Sequence, residues 1–195
     1  MLTGSNTGPG PTLWTVGHST RSADEFVALL AEHGIELVED VRRLPGSSRF
    51  PQFDADTLRR TLAAADVDLH REAALTGRRP VSKDVPFEVN AWWRNRSFHN
   101  YADHALSAEF REALAAVAER ALRQRTAIMC AEAVWWRCHR RIIADHLLAA
   151  GHRVVHVTGP GQSTDAELSA GARVDDGALV YPETVYPETV YPETP

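Results

Sequence analysis

The feature that most constrains this chain is an alternation of short apolar runs with amphipathic stretches from Leu13 to Val157. Leu13-Trp-Thr-Val16 is stopped by Gly17, and Ser22 to His33 then places Phe26, Leu29 and Leu30 at helical spacing, with Ser22 as N-cap and Glu25 three residues on. Gly34 closes that helix, and Ile35 to Val41 forms a second strand before the breaker Pro45-Gly46-Ser47-Ser48. Asp54 or Asp56 caps a helix running through Leu62, and Val67-Asp-Leu-His70 reads as a third strand. Ser107 to Arg123 is Ala- and Leu-rich at helical spacing, Thr126 to Cys130 is a buried-strand run, Arg137 to Ala150 is a helix ended by Gly151, and Arg153 to Val157 supplies the last strand. Strands alternating with helices predict an α/β three-layer sandwich: a mostly parallel sheet of about five strands, helices on both faces, right-handed crossovers.

Three segments stand outside this rhythm. Arg71 to Asn100 has no period and mixes Gly77, Pro80, Pro86, Trp92 and Trp93, which is long for a plain connection and reads as a lid or binding segment. The end of the chain repeats Val-Tyr-Pro-Glu-Thr from Val180, Val185 and Val190. Such short copies cannot build a core of their own, so residues 182–195 are expected to be an acidic, extended or disordered tail that chemistry does not need. Residues 1–12, rich in Gly, Pro, Ser and Thr, read as a flexible lead-in, leaving 13–181 as a single domain.

Charge and cysteine content narrow the partners. The net charge of -5 conceals a near-neutral body: residues 1–158 carry 20 basic and 19 acidic side chains. That balance excludes broad, charge-driven binding of duplex DNA and leaves nucleic acid only through local clusters. Of the 21 basic residues, 20 are Arg, a side chain suited to paired hydrogen bonds with phosphate or carboxylate. No apolar run approaches the roughly 20 residues that span a bilayer, and the N-terminus lacks a basic start and an apolar stretch. The two cysteines fall within nine residues of each other, unlike a secreted disulfide framework. These features predict a cytoplasmic protein without membrane contacts; they say nothing of its oligomeric state.

The candidate site comes from position. His18 and Ser19 follow the first strand, Asp40 and Arg42 end the second, Glu72 follows the third, Cys130 and Glu132 end the fourth, and His156 lies near the end of the fifth. In open α/β sheets ligands bind outside the carboxyl ends of strands, so these side chains should converge on one crevice. The bland alternative is that strand ends emerge into solvent and collect polar residues. Cys130-Ala-Glu132 and Cys138-His139-Arg140 form the densest reactive group. With the second trio opening a helix, a thiol there is a better nucleophile or metal ligand, although Cys130 reads equally as a small core residue. A Cys, Cys and His set can hold zinc with Glu132 as base. Against this, the spacing is no standard knuckle and adjacent Cys138 and His139 should diverge on a helix, so the default is no metal and no cofactor. A Cys130 to Cys138 disulfide is a further minor reading.

Asp40 and Glu132 are the candidate carboxylate pair, with Arg42 and Arg140 holding an anion, while an Asp40 to Arg42 salt bridge that merely orders the crevice is a competing reading. His18 can serve as a base beside the Ser19 hydroxyl or as a hydrogen-bonded structural residue. Trp135, with Trp136, and the pair Trp92 and Trp93 offer indole faces for a planar ring, one of each pair being expected in the core.

Together, Thr15-Val-Gly-His-Ser19, Val38-Glu-Asp-Val-Arg42 with Pro45 and Ser47, Met129-Cys-Ala-Glu132 with Cys138-His139-Arg140, Tyr101-Ala-Asp103 and Val155-His-Val157 resemble the domain-of-unknown-function 488 family over about Leu13 to Tyr181. The chain departs from it at Leu75-Thr76-Gly77, where the family commonly has two adjacent glycines. The resemblance implies a fold and a site without an established reaction. The residues themselves suggest an enzyme acting on a nucleotide, nucleoside or nucleic-acid base, by N-glycosidic or related hydrolysis. Glu132, Asp40, Cys130 and His18 would be catalytic, and Arg42, Arg140, Ser19, Cys138, His139, Tyr101 and Trp135 would bind substrate. The alternatives are a thiol-redox or metal-dependent protein using Cys130 and Cys138, and a non-catalytic nucleotide- or anion-binding module.

Overall fold

The computed structural model describes residues 10–46 and 49–183; the lead-in before residue 10, the breaker residues Ser47 and Ser48, and the repeats from residue 184 lie outside the described residues. The elements are β1 (Thr12–Gly17), α1 (Ala23–Glu32), β2 (Leu37–Asp40), α2 (Ala55–Ala63), β3 (Asp68–Arg71), α3 (Arg96–Ala105), α4 (Ala108–Ala121), β4 (Thr126–Cys130), α5 (Arg140–Ala149), β5 (Arg153–Gly159), β6 (Gln162–Asp165), β7 (Arg173–Asp175) and β8 (Ala178–Val180). The main sheet is six-stranded in the order β3-β2-β4-β1-β5-β6. Its first five strands are parallel, as the sequence rhythm predicts, and β6 returns antiparallel to β5.

The sheet is buried because successive residues of its strands feed two different cores. On one face Trp14, Val16, Val38, Ala127, Met129, Val155 and Val157 pack against Phe26, Leu29 and Leu30 of α1 and Leu58 and Leu62 of α2. On the other, Leu13, Ile128 and Val154 pack against Tyr101, Phe110, Leu114, Ile142, Ile143 and Leu147 of α3, α4 and α5. The result is the three-layer sandwich. The Ser22 capping box is formed in full, with Glu25 N–H donating to the Ser22 hydroxyl and Ser22 N–H to the Glu25 carboxylate.

Three of the departures from the sequence expectation bear on the sheet and the site, each for a physical reason. Strand β6 is exposed at all four residues and held by backbone pairing at the sheet edge, so no apolar period announces it. Helix α3 begins inside the stretch from Arg71 to Asn100 that reads as aperiodic, and its buried face carries His99 and Asp103 beside Tyr101 and Ala102, which masks an apolar stripe. Its N-cap is Asn95, whose side chain accepts from Ser97 N–H. Helix α5 begins at Arg140 rather than Arg137: Trp135–Arg137 form one 3-10 turn, and Cys138 is extended at φ -125°, ψ 148°. Cys138 therefore precedes the helix, a displacement that decides the geometry of the thiols.

The crossovers place the site. Strands β1 and β2 lead into α1 and α2 on one face, whereas β4 leads into α5 on the other, so β4 is flanked by strands whose connections leave the opposite way. Such a switch opens a crevice at the carboxyl ends. Pairing continues just past the strand ends: Val41 N–H donates to Met129 O at 3.0 Å, His18 N–H to Cys130 O at 3.0 Å and Ser19 N–H to Ala131 O at 3.0 Å.

Candidate functional site

A cleft of about 420 Å³ opens at the carboxyl ends of β2 and β4, with Arg42 to Leu44 on one wall, Cys130 to Glu132 and Arg137 to His139 on the other, Gly77 from the long connection and Tyr101 from α3. A second hollow of about 330 Å³ adjoins it, sharing Arg42, Leu44, Ala131 and Glu132 and extending to His18 and Ser19. The volumes are those of small-molecule sites.

Of the expected catalytic groups, Asp40 is held away from the cleft. It is 2% exposed and receives the Arg42 guanidinium at 2.6 Å through Nη2 and at 2.9 and 3.1 Å through Nε, plus the Arg42 backbone N–H at 3.0 Å. Arg42 also donates to Phe53 O at 2.6 Å, so this guanidinium, though it borders the cleft, is committed to the protein. The pair is a buried structural salt bridge that fixes the exit of β2. His18 is likewise structural in its contacts: its ring stacks on Phe53 at 4.1 Å, and Nδ1–H donates to Ser19 O at 3.0 Å. Burial, with Arg42 adding to it, lowers its pKa to about 4, so the ring is neutral at pH 7. Ser19 sits beside it at φ 52° on the rim of the second hollow. Trp135 stacks face to face on His156 at 4.1 Å and is not part of the cleft lining, and Glu72 is tied to Arg120 at 3.2 Å.

The thiols, in contrast, come together. Cys130 and Cys138 are free, hydrogen-bonded to each other, and border the cleft with His139. Cys138 Sγ lies 3.6 Å from His139 Nδ1 and accepts from Arg140 Nε at 3.3 Å. Burial works against a Cys138 thiolate, but the Cys130 hydrogen bond, His139 and Arg140 outweigh it and hold the thiol well below its usual pKa. That same hydrogen bond and burial push Cys130 up. The activation expected from a helix N-terminus thus comes instead from side-chain neighbours. The expected divergence of Cys138 and His139 is also corrected, because an extended residue followed by a turn turns both side chains into one space. Tyr101 tilts against the His139 ring at 4.9 Å, and its hydroxyl donates to Leu75 O at 2.7 Å. Burial pushes the Tyr101 pKa up, so it remains a neutral donor.

Glu132 is exposed, is the one carboxylate in the lining of either hollow, and makes no side-chain hydrogen bond among the described residues. Its backbone is fixed from two sides. Arg140, 1% exposed, donates to Glu132 O at 2.5 Å from behind the cleft, which makes it a support of the loop rather than part of the lining. A Cβ on Gly17 would lie 2.0 Å from the same oxygen, so only glycine at the end of β1 admits the loop. Sequence reasoning missed the arginines of the rim. Arg43, Arg78 and Arg137 are exposed, border the cleft, and have no guanidinium partner among the described residues. The signal was the Arg-Arg pairs beside Pro45 and Gly77, read as punctuation rather than as charge. Gly77 has a role of its own: a Cβ there would lie 2.7 Å from His139 Nδ1. Thr76 is buried and donates its hydroxyl to Ala73 O at 2.9 Å.

Comparison with known proteins adds the family. The model described as Domain of unknown function DUF488 matches residues 22–147, more than half of the chain. The chain belongs to the DUF488 family. The matched span contains the cleft walls from Arg42 through Arg140 and is narrower than the sequence resemblance, leaving Thr15 to Ser19 and Val155 to Val157 outside it. No curated protein and no solved structure matches the chain. Among the described residues, no helix is long and apolar enough to cross a membrane.

Proposed function

We propose that this DUF488 protein is a hydrolase-type enzyme acting on a small anionic, nucleotide-like substrate in the cleft at the carboxyl ends of β2 and β4. The observation that carries the reading is the charge arrangement: three exposed guanidiniums without a partner among the described residues, of Arg43, Arg78 and Arg137, share the cleft lining with its one carboxylate among those residues, Glu132. Guanidiniums without internal partners are available for paired hydrogen bonds to phosphate oxygens, whereas Arg42 and Arg140 spend theirs on Asp40, Phe53, Cys138 and Glu132. Glu132 then acts as the acid-base group for water attacking the bond held beside it. Phe98 and Tyr101 supply the aromatic part of the lining, a role expected of Trp135.

The assay is turnover of a panel of nucleotides and nucleosides by the wild type and by Glu132→Gln. The expected result is turnover confined to phosphorylated compounds and lost in Glu132→Gln, with the circular dichroism spectrum unchanged. Full activity in that variant removes the acid-base core of the proposal.

A further inference from the structure

We propose that Cys130, Cys138 and His139 bind one soft divalent cation of the zinc class, as a three-ligand site whose fourth position opens into the cleft. The donor atoms of the three residues all lie within 4.8 Å of one another. The Cys138 Sγ to His139 Nδ1 distance is 3.6 Å. A tetrahedral ion with Zn–S of about 2.3 Å and Zn–N of about 2.0 Å has an S to N edge of about 3.5 Å, so these two ligands already stand at coordination spacing.

The surroundings favour the same assignment. His139 Nε2 lies 3.2 Å from Val41 O, and its N–H donates there. Nδ1 is thereby the ring atom left to face the Cys138 sulfur, and it becomes a ligand once the proton it shares with that sulfur is displaced; metal-bound histidines are oriented in this manner by a hydrogen bond from the other ring nitrogen. Gly77 leaves room at Nδ1 that a Cβ, at 2.7 Å, would fill. Arg140 Nε donates to the Cys138 sulfur at 3.3 Å, a contact that steadies a thiolate ligand. Soft thiolate and imidazole donors suit zinc-like ions and disfavour magnesium or calcium.

Charge closes the case. Two thiolates neutralise a dication, so the rim arginines remain free for an anion while Glu132 stands in the same lining as a base for water at the open position. Binding displaces the thiol protons to solvent, so apparent affinity rises with pH. The only other grouping of this kind among the described residues, Glu39, His70 and Glu72, already holds the Arg120 guanidinium, at 2.5 Å from Glu39 and 3.2 Å from Glu72. There a cation would have to displace a cation.

The experiment needs no substrate, so its failure is separate from failure of the anion-binding reading. Full-length protein is reduced, stripped of metal, and titrated with zinc against a chromophoric chelator, and with cobalt as a spectroscopic probe. The expected result is one equivalent bound, a thiolate-to-cobalt charge-transfer band, and affinity reduced more than about 100-fold in Cys130→Ser and His139→Ala, beyond the cost of losing an outer-shell partner. Because a variant can fail to fold, alkylation of the wild type is measured in parallel, where zinc should protect both thiols. Absence of saturable uptake, uptake unchanged in Cys130→Ser, or thiols equally reactive with and without zinc each overturns the proposal.

Discussion

Replacing Asp40 with alanine asks whether that carboxylate serves the fold or the reaction. Asp40 and Arg42 are 2% and 3% exposed, and the carboxylate accepts three contacts from the Arg42 side chain, the shortest at 2.6 Å. Removing it leaves a buried guanidinium whose remaining polar partners among the described residues are the Phe53 carbonyl at 2.6 Å and the His18 ring at 3.4 Å. Breaking a buried pair from one side costs about 3–5 kcal/mol. For a chain of this length, in which 1 kcal/mol moves the midpoint by about 2–4 °C, the expected loss is roughly 6–20 °C in Tm. Removing both charges in Asp40→Ala with Arg42→Met abolishes the uncompensated cation and should recover part of that loss, giving a coupling energy above about 1 kcal/mol in a double-mutant cycle. Urea and thermal denaturation followed by circular dichroism measure both. A single-mutant cost below about 1 kcal/mol, or a double mutant less stable than the sum of the singles, would refute the argument that this pair is structural.

Three further outcomes follow from other parts of the cleft. Gly17→Ala puts a methyl 2.0 Å from Glu132 O; the loop must move, so the variant should lose about 1–3 kcal/mol of stability and any activity that depends on Glu132, checked by paired denaturation and turnover. Cys138 is held below the usual thiol range and Cys130 above it, so mass-spectrometric mapping of alkylation against pH should find Cys138 reacting first as pH rises; Cys130 reacting first contradicts the ordering. His18, His146 and His156 are each lowered to about 4, burial being the leading cause. Below the unfolded value of 6.5 the unfolded chain binds protons that the fold refuses. Stability should therefore fall between about pH 6.5 and 4, and His146→Leu should flatten that fall in urea titrations.

The sheet and a cleft at its strand ends were legible because they rest on local rules: apolar runs bounded by Gly17, Gly34 and Gly151, caps such as Ser22, and the tendency of strand ends to share a crevice. What escaped was set by tertiary contact. Asp40 and Arg42 lie two positions apart, and only the packing of Phe53 and His18 around them makes the pair internal. Cys138 read as helical because Arg137 to Ala150 has the right period, yet the support of Glu132 O by Arg140 fixes the β4 to α5 loop so that the helix starts three residues later. Helix α3 was hidden because its buried face is polar and held by tertiary contact: Asp103 accepts from Asn90, outside the helix, at 2.8 Å and lies 3.6 Å from His99 Nε2. The hairpin of β7 and β8 had a signal that was passed over: Asp176-Gly177, both at positive φ, is a tight-turn pair between short strands.

The central claim, that the rim of the cleft is an anion site, is tested most directly by calorimetric titration of a nucleoside monophosphate and its parent nucleoside into the wild type and into Arg78→Ala with Arg137→Ala. The account predicts saturable binding of the phosphorylated compound alone, weakening with added salt and reduced at least tenfold in the double variant while Tm is unchanged. Equal binding of nucleoside and nucleotide, or undiminished binding without the two arginines, would contradict it.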